Sequence, residues 1–132
     1  MKKAIIVILC IGLLMAAAII AVIWKANSVM SEIEIEHAKI GDIALAGVAD
    51  GVYRGTCGSI PVFVDLEVAV KDHAIQSVSI NKQRCGKGYN AKDITKRIVE
   101  AQKVRVDGVS GATISSKCIM IAAYRALKSA GK

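Results

Sequence analysis

Apolar residues open the chain as one block. Ala4 to Trp24 carries no charge, and at ~1.5 Å per residue a helix of that length reaches about 30 Å, the thickness of a bilayer's hydrocarbon core. Lys2 and Lys3 precede the block and Lys25 follows it. A cleaved leader has a shorter apolar stretch, ended by a small-x-small site. A lipoprotein anchor needs small residues before its cysteine, but Val7, Ile8 and Leu9 precede Cys10. The pattern therefore predicts a membrane anchor over residues 1–25. The positive-inside rule places its N-terminus in the cytoplasm and residues from about 26 onward outside.

Beyond the anchor the pattern changes period. Residues 26–41 read as a stalk. Asn27 or Ser28 is placed to cap a short helix running to Ile40, with Val29, Ile33 and Ile40 near one face and Glu32, Glu34 and Glu36 on a polar side. This helix is expected to lift the following domain, residues 42–132, off the bilayer. Asp50-Gly51 is a turn signal that feeds a strand through Tyr53 and Arg54. In the next strand Val62, Val64, Leu66, Val68 and Val70 point one way and Phe63, Asp65, Glu67, Ala69 and Lys71 the other. That alternation is the mark of a half-buried antiparallel strand. Lys71-Asp72-His73 makes the turn, and Ala74 to Asn81 returns with a weaker alternation. After a Gly-rich loop, Asn90 with Asp93 resembles a capping box. The helix it opens buries Ala91, Ile94, Ile98 and Ala101. An extended piece, Lys103 to Val106, leads to a last helix from about Ile114 to Ser129, apolar all round from Cys118 to Ala123 and so covered on more than one side. The fold class expected is α+β: a transmembrane helix, then a small domain with an antiparallel sheet and packed helices.

Charge and cysteine content narrow the chemistry. From Lys25 onward there are 16 Lys and Arg against 11 Asp and Glu. Aromatics make up 4% of the chain and no basic stripe stands out, so nucleic-acid binding is not indicated. No CxxC or Cys/His cluster occurs, which leaves zinc, iron–sulfur and covalent haem without ligands. Cys10 lies in the anchor and Cys118 in the apolar helix, where a buried inert thiol is the ordinary role. Cys57 and Cys85 lie in loop-like sequence, where an oxidising compartment allows a disulfide without requiring one. His37 and His73 read as stalk and turn residues.

One segment carries candidate chemistry: Asp107 to Lys117, DGVSGATISSK. Gly108, Gly111 and Ala112 allow a ligand close to the backbone. The free N–H groups at the start of the following helix favour a phosphate. Ser110, Thr113, Ser115 and Ser116 supply hydroxyls and Lys117 a charge. The same residues also suit an ordinary N-cap cluster. The segment lacks the GxxxxGK[ST] pattern of a P-loop. It echoes a G-x-S-x-G nucleophile elbow, but no histidine follows the serine to complete a triad.

The opening DGVYRGT, the hairpin VFVDLEVAVKDHAIQSVSI and the DGVSGATISSK segment together resemble the FMN-binding domain family. That family includes flavinylated subunits of sodium-pumping NADH:quinone oxidoreductases and Rnf-type complexes, and small stand-alone extracytoplasmic flavoproteins. The resemblance covers roughly residues 42 to 130. The last segment looks like the target of an FAD:protein FMN transferase: an Asp, two residues, Ser or Thr, Gly, Ala, then Thr. It implies FMN as cofactor, joined through a phosphoester to Thr113. Asp107, Ser110, Gly111 and Ala112 would be read by the transferase and then line the phosphate, to which Ile114 and Ser115 would present N–H groups. Tyr89 or Lys87 is a candidate to flank the isoalloxazine ring. The family usually turns its hairpin at Asp-Gly, whereas His73 follows Asp72 here.

The function implied is electron transfer by a membrane-anchored extracytoplasmic flavoprotein. Its partners would be a membrane redox donor and an extracytoplasmic acceptor, and it would have no catalytic residues or metal of its own. The alternative is a domain that holds FMN noncovalently, as a sensor or as a subunit of a membrane complex.

Overall fold

The structure is a computed structural model describing residues 1–59, 62–84, 92–109 and 111–131. A helix, α1 (Lys2–Ala38), is followed by a 3-10 turn at Leu45–Gly47. Three strands follow: β1 (Gly51–Ser59), β2 (Val62–Lys71) and β3 (Ala74–Arg84). Two helices, α2 (Lys92–Ala101) and α3 (Thr113–Ala130), complete the order. The α+β class expected from the sequence is the one observed.

The segments expected as anchor and stalk form one helix. No glycine or proline lies between Lys25 and Ala38, so nothing interrupts the backbone ladder. Asn27 and Ser28 are interior helical residues rather than caps, and the Ser31 hydroxyl bonds back to the Ser28 carbonyl at 2.9 Å. Every residue up to Lys25 is exposed, and α1 is long and apolar enough to cross a membrane. Burial starts at Val29. Val29, Ile33 and Ile40 join the hydrophobic core of the domain, so the segment expected to hold the domain away packs against it.

The strands form one antiparallel sheet in the order β1-β2-β3. Val64, Leu66 and Val68 in the central strand are fully buried against α3, as the alternation in β2 requires. On the outer face Asp65 is buried beneath Arg54, whose Nε donates to Oδ1 at 2.8 Å. A second Arg54 nitrogen donates to Oδ2. This hydrogen-bonded ion pair holds the Asp65 carboxyl below the usual carboxylate range.

The weak alternation of β3 has a geometric cause. Its register against β2 slips at Gln76, because Val70 faces Ile75 while Ala69 faces Ser77, and again at Asn81. An extra residue reverses the parity of the strand. Ile75 and then Val78 and Ile80 therefore all turn toward the core. β3 also runs to Arg84, three residues beyond the expected end. Gln102, at φ 53° just past α2, fastens that helix to β3. Its amide accepts from Ile75 N at 2.8 Å and donates to Ile75 O at 2.9 Å and Val99 O at 2.7 Å.

Within α2, Ile94 and Ile98 are fully buried as expected, while Ala101 is exposed at the helix end. The expected Asn90 cap and Ala91 lie outside the described residues. α3 lies between the sheet and α1, with α2 also touching it. That position explains why Cys118 to Ala123 can be apolar on every side.

Candidate functional site

The loop from Asp107 to Ala112 is held from both ends. From below, Ser116 Oγ accepts the Val109 N–H at 3.0 Å and donates to the Ala112 carbonyl at 2.6 Å. The same carbonyl accepts the Ser116 N–H at 2.9 Å, and Ala112 N closes a turn onto Val109 O at 3.0 Å. From the side, one guanidinium nitrogen of Arg97 on α2 donates to the carbonyls of Asp107 at 2.8 Å and Gly108 at 3.0 Å. Gly111 sits at φ 80° with nothing within 4 Å of where a Cβ would stand. Glycine is needed there for backbone freedom rather than for room.

This fastening delivers Thr113 as the first residue of α3, one position earlier than the periodicity suggested. Thr113 is exposed. Ala112 occupies the N-cap position, and among the described residues no side chain caps the helix. Ser116, which is fully buried, organises the loop, and among the described residues no hydroxyl closes the helix end. The first backbone bond of the helix is made by Ser116 N. The N–H groups of Thr113, Ile114 and Ser115 therefore lie in the turn that an α-helix leaves without internal partners. No acidic residue stands in that first turn, so the positive end of the helix is uncompensated.

The candidate residues separate by what they expose. Asp107, Gly111 and Thr113 are at the surface. The side chains of Ala112 and Ser115 are buried, at 5% and 6% exposure, so only their backbone is available to a ligand. Ile114 is half-buried. Lys117, expected to add positive charge, is already paired: its Nζ contacts the two carboxylate oxygens of Glu34 on α1 at 2.6 and 2.5 Å. Ser110, Lys87, Tyr89 and Cys85 lie outside the described residues. Among the described residues no cluster of His, Cys, Asp or Glu suits a metal ion.

Arg97 went unrecognised in the sequence because nothing in the α2 pattern marks it. Only the packing of α2 beside the loop brings its guanidinium to those two carbonyls. An open depression lined by Arg97, Glu100, Ala101, Arg105, Val106 and Asp107 adjoins the loop on that side.

An exposed hydroxyl, a backbone bent by a left-handed glycine and a helix end with no acidic residue in its first turn form a site suited to a phosphate ester. The family model for the FMN-binding domain matches residues 61–128, just over half of the chain. No solved structure matches the chain.

Proposed function

This chain belongs to the FMN-binding domain family, and from that premise we propose that it is a membrane-anchored electron carrier holding FMN covalently on Thr113. The observation that carries the covalent reading is the placement of Thr113: an exposed hydroxyl on the first residue of an uncapped helix, inside the matched region. The residues present fit the cofactor's phosphate, since the helix end offers N–H donors and no acidic residue in its first turn to repel it.

Attachment would proceed by attack of the Thr113 oxygen on the FMN phosphorus of FAD. The pyrophosphate bond breaks, AMP leaves and the hydroxyl proton is lost. An FAD:protein FMN transferase would supply the catalytic groups, so this chain needs only to present the hydroxyl. Arg97 and Ser116 hold the loop in shape, while Gly111 supplies its bend. The bound flavin supplies the redox chemistry, and the protein supplies position and electrostatic surroundings.

The apolar stretch of α1 and its flanking lysines support a single membrane crossing with the N-terminus in the cytoplasm and the domain outside. A covalent link suits that side, where a lost cofactor is not readily replaced. Electrons would pass from a membrane donor to an extracytoplasmic acceptor, with no substrate turned over by the chain itself.

Intact mass and in-gel flavin fluorescence of the full chain, co-expressed with the transferase, test the reading. Wild type should gain the mass of FMN less one water, Thr113→Ala should gain nothing, and Thr113→Ser should keep a large part of the modification. An unmodified wild-type chain, beside a known substrate that is modified in the same cells, would sink the covalent reading in favour of FMN held noncovalently.

A further inference from the structure

Two cysteines distant in sequence meet in the core. Cys57 on β1 is 2% exposed and Cys118 on α3 is fully buried. The Cys57 side chain neighbours the Cys118 thiol, and both cysteines are free in the structure. Strand and helix touch here at backbone distance. A Cβ on Gly55 would stand 1.9 Å from the Ala122 carbonyl oxygen, and one on Gly58 would stand 3.3 Å from Cys118 Sγ. The glycines on either side of Cys57 thus bring β1 close to α3, and Cys118 Sγ lies beside the residue that follows Cys57.

We propose that Cys57 and Cys118 form a dithiol–disulfide pair that, when oxidised, ties the edge strand β1 to α3, the helix that begins at Thr113. The oxidant is a thiol-exchanging disulfide. One cysteine thiolate attacks it and releases one thiol, and the second cysteine then displaces the other. Two protein thiols become one disulfide, and the oxidant's sulfurs take up the two electrons and two protons as two thiols.

Burial sets the timing. The neighbouring thiol and the apolar surroundings push the Cys118 thiol far above its ordinary pKa, so Cys118 is a poor nucleophile in the fold, and Cys57, 2% exposed, is out of an oxidant's reach. Exchange belongs to the stage before β1 docks, or to fraying of β1, which is an edge strand. Once closed, the bond is sealed from reductants by the same packing. Closure in the cell rests on the domain lying outside the cytoplasm, as proposed above. The pairing itself does not.

The test uses the full chain in detergent with Cys10→Ala and Cys85→Ala, so that only the pair remains. The reduced, denatured protein is refolded with a mixture of reduced and oxidised glutathione, quenched, alkylated under denaturing conditions and mapped. Expected are a Cys57–Cys118 linked peptide, the loss of two hydrogens from the intact mass, and a melting temperature that falls by roughly 10 °C on reduction. Mapping of refolded wild type should give the same link. Two alkylated thiols or mixed glutathione disulfides in both proteins would overturn the proposal.

Alkylation of wild type in isolated membranes separates pairing from compartment. A link found there supports both. Free thiols there, beside a link in the refolded protein, support the pairing and count against the domain lying outside.

Discussion

Thr113 and Ser116 stand one helical turn apart, and both looked like phosphate-site hydroxyls in the sequence. Burial separates them. Ser116 is fully buried and committed to Val109 N and Ala112 O, whereas Thr113 is exposed. A similar distinction holds at the β2–β3 turn. Asp72 and His73 both lie in the left-handed region, at φ 53° and 58°, the conformation of a two-residue type I′ turn. Asp72 is supported there, its N–H donating to Asp50 Oδ1 at 2.8 Å. His73 has a Cβ in a conformation that favours glycine. His73→Gly should therefore stabilise the domain by about 0.5–1 kcal/mol, the relief of strain exceeding the extra flexibility of the unfolded chain. Urea unfolding at unchanged m-value checks it, and a lower midpoint would mean that the imidazole makes a contact worth more than the strain.

Among the elements, β1 and α3 are packed more closely than side chains permit. Gly55 is opposite Leu66 in the sheet and lies directly against the α3 backbone at Ala122 and Ala126. A methyl group at 1.9 Å from a helix carbonyl oxygen has no rotamer to escape into, so one backbone must move. Gly55→Ala should cost about 3 kcal/mol or more, seen as a large loss of melting temperature or as failure to accumulate. Val52→Ala on the same strand, where the side chain is 65% exposed, should change stability by less than about 0.5 kcal/mol. Equal effects of the two substitutions would mean that β1 does not lie against α3 at this distance. The glycines of this strand were visible in DGVYRGTCG, but their purpose was not, since the surface they approach lies far along the chain.

For the molecule as a whole, the continuity of α1 matters most. From Lys25 to Glu34 the helix rises about 14 Å, and at Glu34 it is pinned to Lys117, one turn into α3. Glu36 pairs with Arg125, which also donates to Thr56 O at 2.9 Å. The start of α3 is thereby held at a set height along the apolar helix instead of swinging on a tether. His37 sits in this junction with its Nε2 buried and without a hydrogen-bond partner among the described residues. Desolvation first, then the positive charges of Lys117 and Arg105, depress its pKa below 6.5 despite the opposing effect of Glu34. A histidine whose folded pKa is depressed favours the folded state while neutral. Its contribution is present above the unfolded value and is lost as the pH falls below it. Between about pH 7.5 and pH 5.5 the wild-type melting temperature should fall more than that of His37→Gln, which has no proton to gain. Parallel curves for the two would remove His37 from the junction's pH response.

Much of this architecture is local and therefore legible in the sequence. The charge-free stretch from Ala4 to Trp24 sets a helix of membrane length, because length and polarity are the only requirements. The alternation from Val62 to Lys71 sets the buried face of β2, because a strand's side chains reverse at every residue. The DGVSGAT segment announces the start of the last helix, since small residues followed by an apolar period suffice, whereas Thr113 is set apart from the neighbouring hydroxyls only by the resemblance to a transferase target. Tertiary structure alone decided what each residue meets. It brought Arg97 to the carbonyls of Asp107 and Gly108, turned Lys117 from the site to Glu34, and drew Val29 and Ile33 of the expected stalk into the core. It also set Cys57 beside Cys118, whereas the sequence had only allowed, without requiring, a pairing of Cys57 with Cys85. Each of these depends on register and packing between segments tens of residues apart, and periodicity reports which face of an element is buried but not what buries it.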